Sequence, residues 1–115
     1  MALEFPTEIE IIEVMEGYLV NARPPEDIRD EIDINYVVDG QSVTVIEIQP
    51  DWQDNLKKIE RPIAKATWIK ATSNWKIFWM RGDLKWHAYE PRPTAKNLKI
   101  FVKVLEEDDH GCFWG

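Results

Sequence analysis

The run Trp75-Lys76-Ile77-Phe78-Trp79-Met80-Arg81-Gly82-Asp83-Leu84-Lys85-Trp86-His87-Ala88-Tyr89-Glu90 sets Lys76, Lys85 and His87 among apolar and aromatic residues on both sides of Gly82-Asp83. Two aromatic-rich strand-forming runs around a glycine-containing turn are the pattern of an antiparallel hairpin. A two-residue turn at Gly82-Asp83 pairs Trp79 with Trp86, Phe78 with His87 and Lys76 with Tyr89. One face of the ribbon then holds Trp75, Ile77, Trp79, Leu84, Trp86 and Ala88 and reads as core. The other holds Lys76, Phe78, Met80, Lys85, His87 and Tyr89, a mixture of cations, flat rings and an imidazole.

Upstream, Pro62 to Lys70 reads as a further strand, set off from the hairpin by the turn residues Ala71-Thr72-Ser73-Asn74. Residues 51–61 read as a loop. A second hairpin precedes it. Ile32, Ile34 and Tyr36 alternate with polar residues, Asp39-Gly40 turns the chain, and Val43, Val45 and Glu47 return until Pro50 ends the strand. A two-residue loop there pairs Tyr36 with Val43, Ile34 with Val45 and Ile32 with Glu47.

The ends of the chain carry the helical period. Thr7 and Glu10 have capping-box spacing behind Pro6, and Ile11, Ile12, Met15, Tyr18 and Leu19 form an apolar stripe that must end by Arg23, ahead of Pro24-Pro25. Residues 26–31 offer one further short turn. Beyond Pro91 and Pro93, Thr94 is placed to cap a last helix with the stripe Leu98, Phe101, Val102 and Leu105. The expected fold is therefore α+β: a single domain over residues 1–115, with a five-stranded antiparallel sheet (two hairpins plus a strand) and an N-terminal and a C-terminal helix packed on one face. The tail Asp108-Asp109-His110-Gly111-Cys112-Phe113-Trp114-Gly115 ends in aromatics and is expected to dock on the core or on a partner subunit.

Charge is sorted along the chain. Residues 1–55 carry 2 basic and 14 acidic side chains, residues 56–103 carry 12 basic and 3 acidic, and residues 104–115 carry 4 acidic and none basic, for a net charge of −7. The balance argues against diffuse binding to DNA, so any nucleic-acid contact has to be local. Four of the six tryptophans lie in the basic block. No apolar run approaches the roughly 20 residues that span a bilayer, and the start has neither the basic nor the apolar region of a signal peptide. The single cysteine, Cys112, makes a reduced, cytoplasmic setting the simple reading.

Two places could carry chemistry. The ribbon face with Lys76, Phe78, Lys85, His87 and Tyr89, and Arg81 at its turn, would suit an anionic partner, either single-stranded nucleic acid or an acidic protein surface. The plainer reading is a solvent-facing surface on which lysine stems cover rings. Glu47 falls among aliphatics on its strand face. Such a carboxylate needs a raised pKa or a cationic partner, so it is a possible acid–base group or one half of a structural ion pair. Asp33 points to the opposite face, which argues against a two-carboxylate centre. His110-Gly111-Cys112 with Asp108, Asp109 and His87 contains metal-ligand types without a recognised zinc spacing. No nucleophile stands at motif spacing from a base, and no glycine-rich phosphate loop is present. No catalytic residue, metal or cofactor is expected.

Several segments carry a resemblance: Arg23-Pro24-Pro25 with Ile28-Arg29-Asp30, Gly40-Gln41-Ser42-Val43, Glu47-Ile48-Gln49-Pro50 followed by Trp52, Pro62 with Ala64-Lys65-Ala66, the Trp75–Pro91 stretch and Cys112-Phe113-Trp114-Gly115. They are similar to a bacterial family known as domain of unknown function 3024, over nearly the whole chain. Gln49 departs from the arginine of that pattern, which weakens any role for a cation there. The resemblance implies a compact, free-standing bacterial domain and brings no assigned activity, cofactor or catalytic residue. The expectation is a small non-catalytic binding module. The alternatives are a small enzyme using Glu47 or His87, or a self-associating scaffold in which acidic helices meet a basic sheet in a homo-oligomer.

Overall fold

Acidic residues and an early proline start the first helix, α1 (Phe5–Ala22), two residues ahead of the expected cap. Its N-cap is Glu4, and Pro6 sits in the first turn, where a missing N–H costs nothing. The computed structural model describes residues 4–54 and 56–114. Met1–Leu3, Asn55 and Gly115, which the sequence reading includes in the N-terminal segment, the 51–61 loop and the tail, lie outside the described residues. Thr7 is inside the helix, so there is no capping box. Glu10 instead reaches across, and its Oε2 accepts a hydrogen bond from the Leu98 amide (3.2 Å) at the start of the last helix. Ile11, Met15, Tyr18 and Leu19 are buried, whereas Ile12 is 57% exposed. The apolar stripe is thus narrower than the sequence suggests.

Strands β1 (Asp33–Asp39) and β2 (Ser42–Pro50) form the first hairpin. The loop is Gly40-Gln41 rather than Asp39-Gly40, with Gly40 at φ +59. Tyr36 therefore faces Val45 and Ile34 faces Glu47. This slip of two residues keeps every side chain on its expected face. Strand β3 (Lys58–Ile69) begins four residues before Pro62, inside the expected loop, and pairs Arg61 with Glu47. Strand β4 (Asn74–Met80) pairs with β3, placing Trp75, Ile77 and Trp79 opposite Trp68, Ala66 and Ala64.

The second hairpin departs from expectation by one residue. Strand β5 (Trp86–Ala88) pairs Phe78 with Ala88, Trp79 with His87 and Met80 with Trp86. The turn holds three residues, Gly82-Asp83-Leu84, closed by the Arg81 amide donating to the Lys85 carbonyl (3.2 Å). Leu84 takes the left-handed conformation (φ 61) that completes a three-residue loop, and Asp83 Oδ1 accepts from the Lys85 amide (3.0 Å). A one-residue slip exchanges the two faces of the strand. Trp86 therefore leaves the core face and His87 joins it.

After β5 the chain stays on the same edge of β4. The Tyr89 amide donates to the Ile77 carbonyl (2.9 Å) and the Ile77 amide to the Pro93 carbonyl (3.0 Å), so residues 90–92 loop out. A short strand, β6 (Thr94–Ala95), then pairs with Trp75 and Lys76. Thr94 is thus in the sheet, and Asn97 caps helix α2 (Leu98–Glu107) by accepting from the Ile100 amide (3.1 Å).

The sheet order is β1-β2-β3-β4-β5, all antiparallel, with β6 beside β4. One core joins Ile11, Met15 and Leu19 of α1, Leu98, Phe101 and Leu105 of α2, and Val43, Val45, Ala66, Trp75 and Ile77 of the sheet. Both helices therefore cover the same sheet face, as expected. Each fully buried side chain of Leu or Phe size contributes about 1.5–3 kcal/mol, which is what holds the strongly one-sided α2 in place. Phe113 of the tail is buried in the same core. No helix among the described residues is long and apolar enough to cross a membrane.

Candidate functional site

The uncovered sheet face is built by alternation. Lys65 and Phe78 are cross-strand partners, as are Thr67 and Lys76, and Met80 and Trp86. Lys65 Nζ lies 5.0 Å from the centroid of the Phe78 ring and 4.9 Å from that of Trp86. The ammonium thus stands against two aromatic faces, a geometry in which ring quadrupoles attract the cation. Partial burial pushes its pKa below the ordinary lysine value. Lys76 is exposed on the same face.

The six residues expected to share one surface are divided by the register. Lys76 and Phe78 are on the open face, and Lys85 is exposed at the ribbon's turn. His87 faces Trp79 on the other side, with Nε2 2.8 Å from Asp83 Oδ2. That hydrogen bond holds the Asp83 carboxyl below the usual range. Tyr89 is 3% exposed and packs on Phe113, ring centroids 4.8 Å apart, and burial pushes its phenol pKa up. The surface as expected therefore does not form: the three-residue turn rotates β5, sends Tyr89 into the core and turns Trp86 outward. Lys65 and Trp86 were the residues missed. The signal for Lys65 was its alternation with Ala64 and Ala66. None was available for Trp86 without the turn length.

Arg81 leaves the face as well. Its guanidinium lies 5.5 Å from the Trp79 ring centroid and lines a groove of about 550 Å³ at the end of the sheet, between the β4–β5 turn, the start of β3 and the tail. Arg61 lines the same groove, with apolar walls that include Ile63, Met80, Leu84 and Phe113.

Glu47 is 7% exposed and pairs with Arg61 Nη2 at 3.4 Å. Gln49 Nε2 also donates to its Oε1. Of the two expected outcomes for a carboxylate on this face, the structure takes the cationic partner. Asp33 faces Ile48, away from Glu47, and accepts two hydrogen bonds from Arg23 (2.9 and 2.6 Å). Among the described residues no group of three His, Cys, Asp or Glu side chains is placed to hold a metal ion.

The tail docks on its own chain. Asp108 (φ 42) ends α2, and its carboxylate accepts from the Phe113 amide (3.1 Å) and the Trp114 amide (2.9 Å). Trp114 Nε1 donates to the Leu105 carbonyl (3.2 Å).

Searches of curated proteins and of solved structures returned no match. A family profile described as a domain of unknown function matches residues 3–115. With that match across essentially its whole length, the chain belongs to the DUF3024 family.

Proposed function

We propose that this protein is a non-catalytic binding module whose helix-free sheet face receives a single-stranded nucleic acid. The observation that carries the reading is Lys65 held against Phe78 and Trp86. Phe78 and Trp86 are half-buried, and bases stack on accessible rings at about 1–3 kcal/mol each without regard to sequence. Cations beside the rings meet the phosphates. Lys65 and Lys76 are on the face and Lys85 is at its edge, so two or three phosphate contacts fit there. Each contributes about −0.7 to the slope of log K against log salt, giving a total of roughly −1.5 to −2. The single thiol, Cys112, and the family accord with a bacterial, cytoplasmic setting.

The acid–base alternative has less support. Glu47 is engaged by Arg61 and Gln49, and His87 by Asp83. The test of the main reading is tryptophan fluorescence during titration with short single-stranded oligonucleotides at two salt concentrations. Saturable quenching that weakens with salt and disappears in Trp86→Ala is expected. Quenching that is absent or insensitive to salt rejects the reading. Binding to polyglutamate but not to oligonucleotides replaces nucleic acid with an acidic protein surface.

A further inference from the structure

The groove at the end of the sheet adjoins the proposed nucleic-acid face at Met80, the cross-strand partner of Trp86, and draws its other walls from different residues. Its volume of about 550 Å³ falls within the roughly 300–1,000 Å³ of small-molecule sites. Its lining has the composition of such sites. Pro62, Ile63, Met80, Leu84, Phe113 and Trp114 supply apolar walls, and among the described residues Arg61 and Arg81 are the charged ones in the lining, with no carboxylate beside them. Among the described residues, Arg81 has no acidic partner within ion-pair distance. Arg61 gives Glu47 one long contact at 3.4 Å while its side chain remains 61% exposed. A guanidinium carries five donors in a fork that fits carboxylate and phosphate oxygens, so both arginines retain unused donors at the groove.

The rim supplies an independent sign. Leu84 is 81% exposed and sits at φ 61. A left-handed leucine costs about 1–2 kcal/mol, and water gives nothing back for its apolar side chain. Strained backbone of this kind gathers where a loop is shaped for a ligand.

We propose that this groove binds a small organic anion, with its carboxylate or phosphate head between Arg61 and Arg81 and its apolar body against Ile63, Met80, Leu84 and Phe113. Cys112, which also lines the groove, is the only cysteine in the chain and reports on occupancy.

The test uses the full chain with phenyl phosphate and octanoate as probes and phenol and inorganic phosphate as half-probes. Amide shifts are followed by nuclear magnetic resonance, together with the rate at which iodoacetamide alkylates Cys112. At least one of the two probes is expected to shift Gly82, Leu84 and residues 111–114 saturably and to slow alkylation severalfold. Phenyl phosphate as the tighter probe identifies a phosphate head, and octanoate a carboxylate. Arg81→Gln should weaken binding about tenfold, one charge-assisted hydrogen bond's worth, while leaving oligonucleotide quenching unchanged and lowering the melting temperature by no more than the few degrees that the contact with Trp79 accounts for. The proposal is overturned if neither probe saturates, if a half-probe binds as tightly as the whole probe, or if Arg81→Gln binds as wild type.

Discussion

Lys65 and Trp86 meet although strand β4 separates them: Nζ is 4.9 Å from the centroid of the indole ring, with Phe78 completing the contact from β4. The position sets the lysine's ionisation. Burial is what lowers its pKa, so Trp86→Ala, which opens the ammonium to water, should return it toward 10.5. Chemical-shift titration of the lysine ε-methylenes reads this directly. A Lys65 that titrates no higher in the variant would show that water already reaches it. The linkage has a definite sign. A lysine whose folded pKa is depressed disfavours the folded state while charged, so the Lys65 contribution grows as pH rises toward the ordinary lysine value. Lys65→Met should remove that rise.

Leu84→Gly separates strain from packing. Glycine enters the left-handed region freely but loses more entropy on folding, by roughly 0.5–1 kcal/mol. Relief of a 1–2 kcal/mol strain exceeds that. Because the leucine is 81% exposed, little burial is lost. The variant is expected to be more stable by about 0.5–1 kcal/mol, read from the urea midpoint at unchanged slope. Equal or lower stability would mean that the leucine side chain contributes packing at the groove rim.

The same residue marks where the sequence stops being informative. Alternation, turn chemistry and the C-terminal stripe made the antiparallel sheet and both helices legible, and the first hairpin survived a register error because the error was even. The second did not, because a two-residue Gly-Asp turn and a three-residue turn with leucine at positive φ are equally consistent with Arg81-Gly82-Asp83-Leu84-Lys85. Side-chain bonding by Asp83 and tolerance of strain at Leu84 decide between them. One residue there determines whether Trp86 or His87 faces water, and hence the content of the candidate site. The groove was illegible for another reason. It joins residues 61–63, 80–82, 84 and 111–114, and nothing local in the sequence brings the tail to the hairpin.

Tyr18 should govern stability in alkali. Burial, with Glu106 adding to it, pushes its phenol from 10.0 up to about 12. For an acid with a raised folded pKa, the contribution is complete below pH 10 and is lost as pH climbs toward 12. The loss is at most roughly 2–3 kcal/mol. Tyr18→Phe keeps the ring in the core and should match wild type at pH 8 yet exceed its stability at pH 11. Part of the alkaline dependence will persist, since burial raises Tyr36 and Tyr89 in the same direction. Denaturant titrations at the two pH values check it.

Asp33 works at the other end of the scale. Arg23, which hydrogen-bonds both carboxylate oxygens, holds it below the usual carboxylate range. Its stabilisation is therefore present above the ordinary aspartate pKa of about 3.9 and disappears as pH falls through the lower folded value. Asp33→Asn should be less stable than wild type at pH 7, and the difference should close in acid. A constant gap from pH 7 to pH 2 would assign the effect to packing instead.

Asp108 joins two functions of the tail, since one carboxylate both follows the last turn of α2 and receives the Phe113 and Trp114 amides. Hydrogen bonds to a charged acceptor contribute about 1.5–3 kcal/mol each, enough to hold a short segment whose remaining anchors are Phe113 against Tyr89 and the Trp114 indole on Leu105. Asp108→Asn keeps the size of the side chain but weakens the acceptor. It should speed hydrogen exchange at the Phe113 and Trp114 amides at least tenfold and raise the alkylation rate of Cys112, while exchange in β2 and β3 stays as in wild type. Because the tail forms one wall of the groove, the same variant should also bind phenyl phosphate or octanoate more weakly without any change at Arg61 or Arg81. Unchanged exchange at both amides would mean that the aromatic contacts alone hold the tail and that the carboxylate is incidental to it.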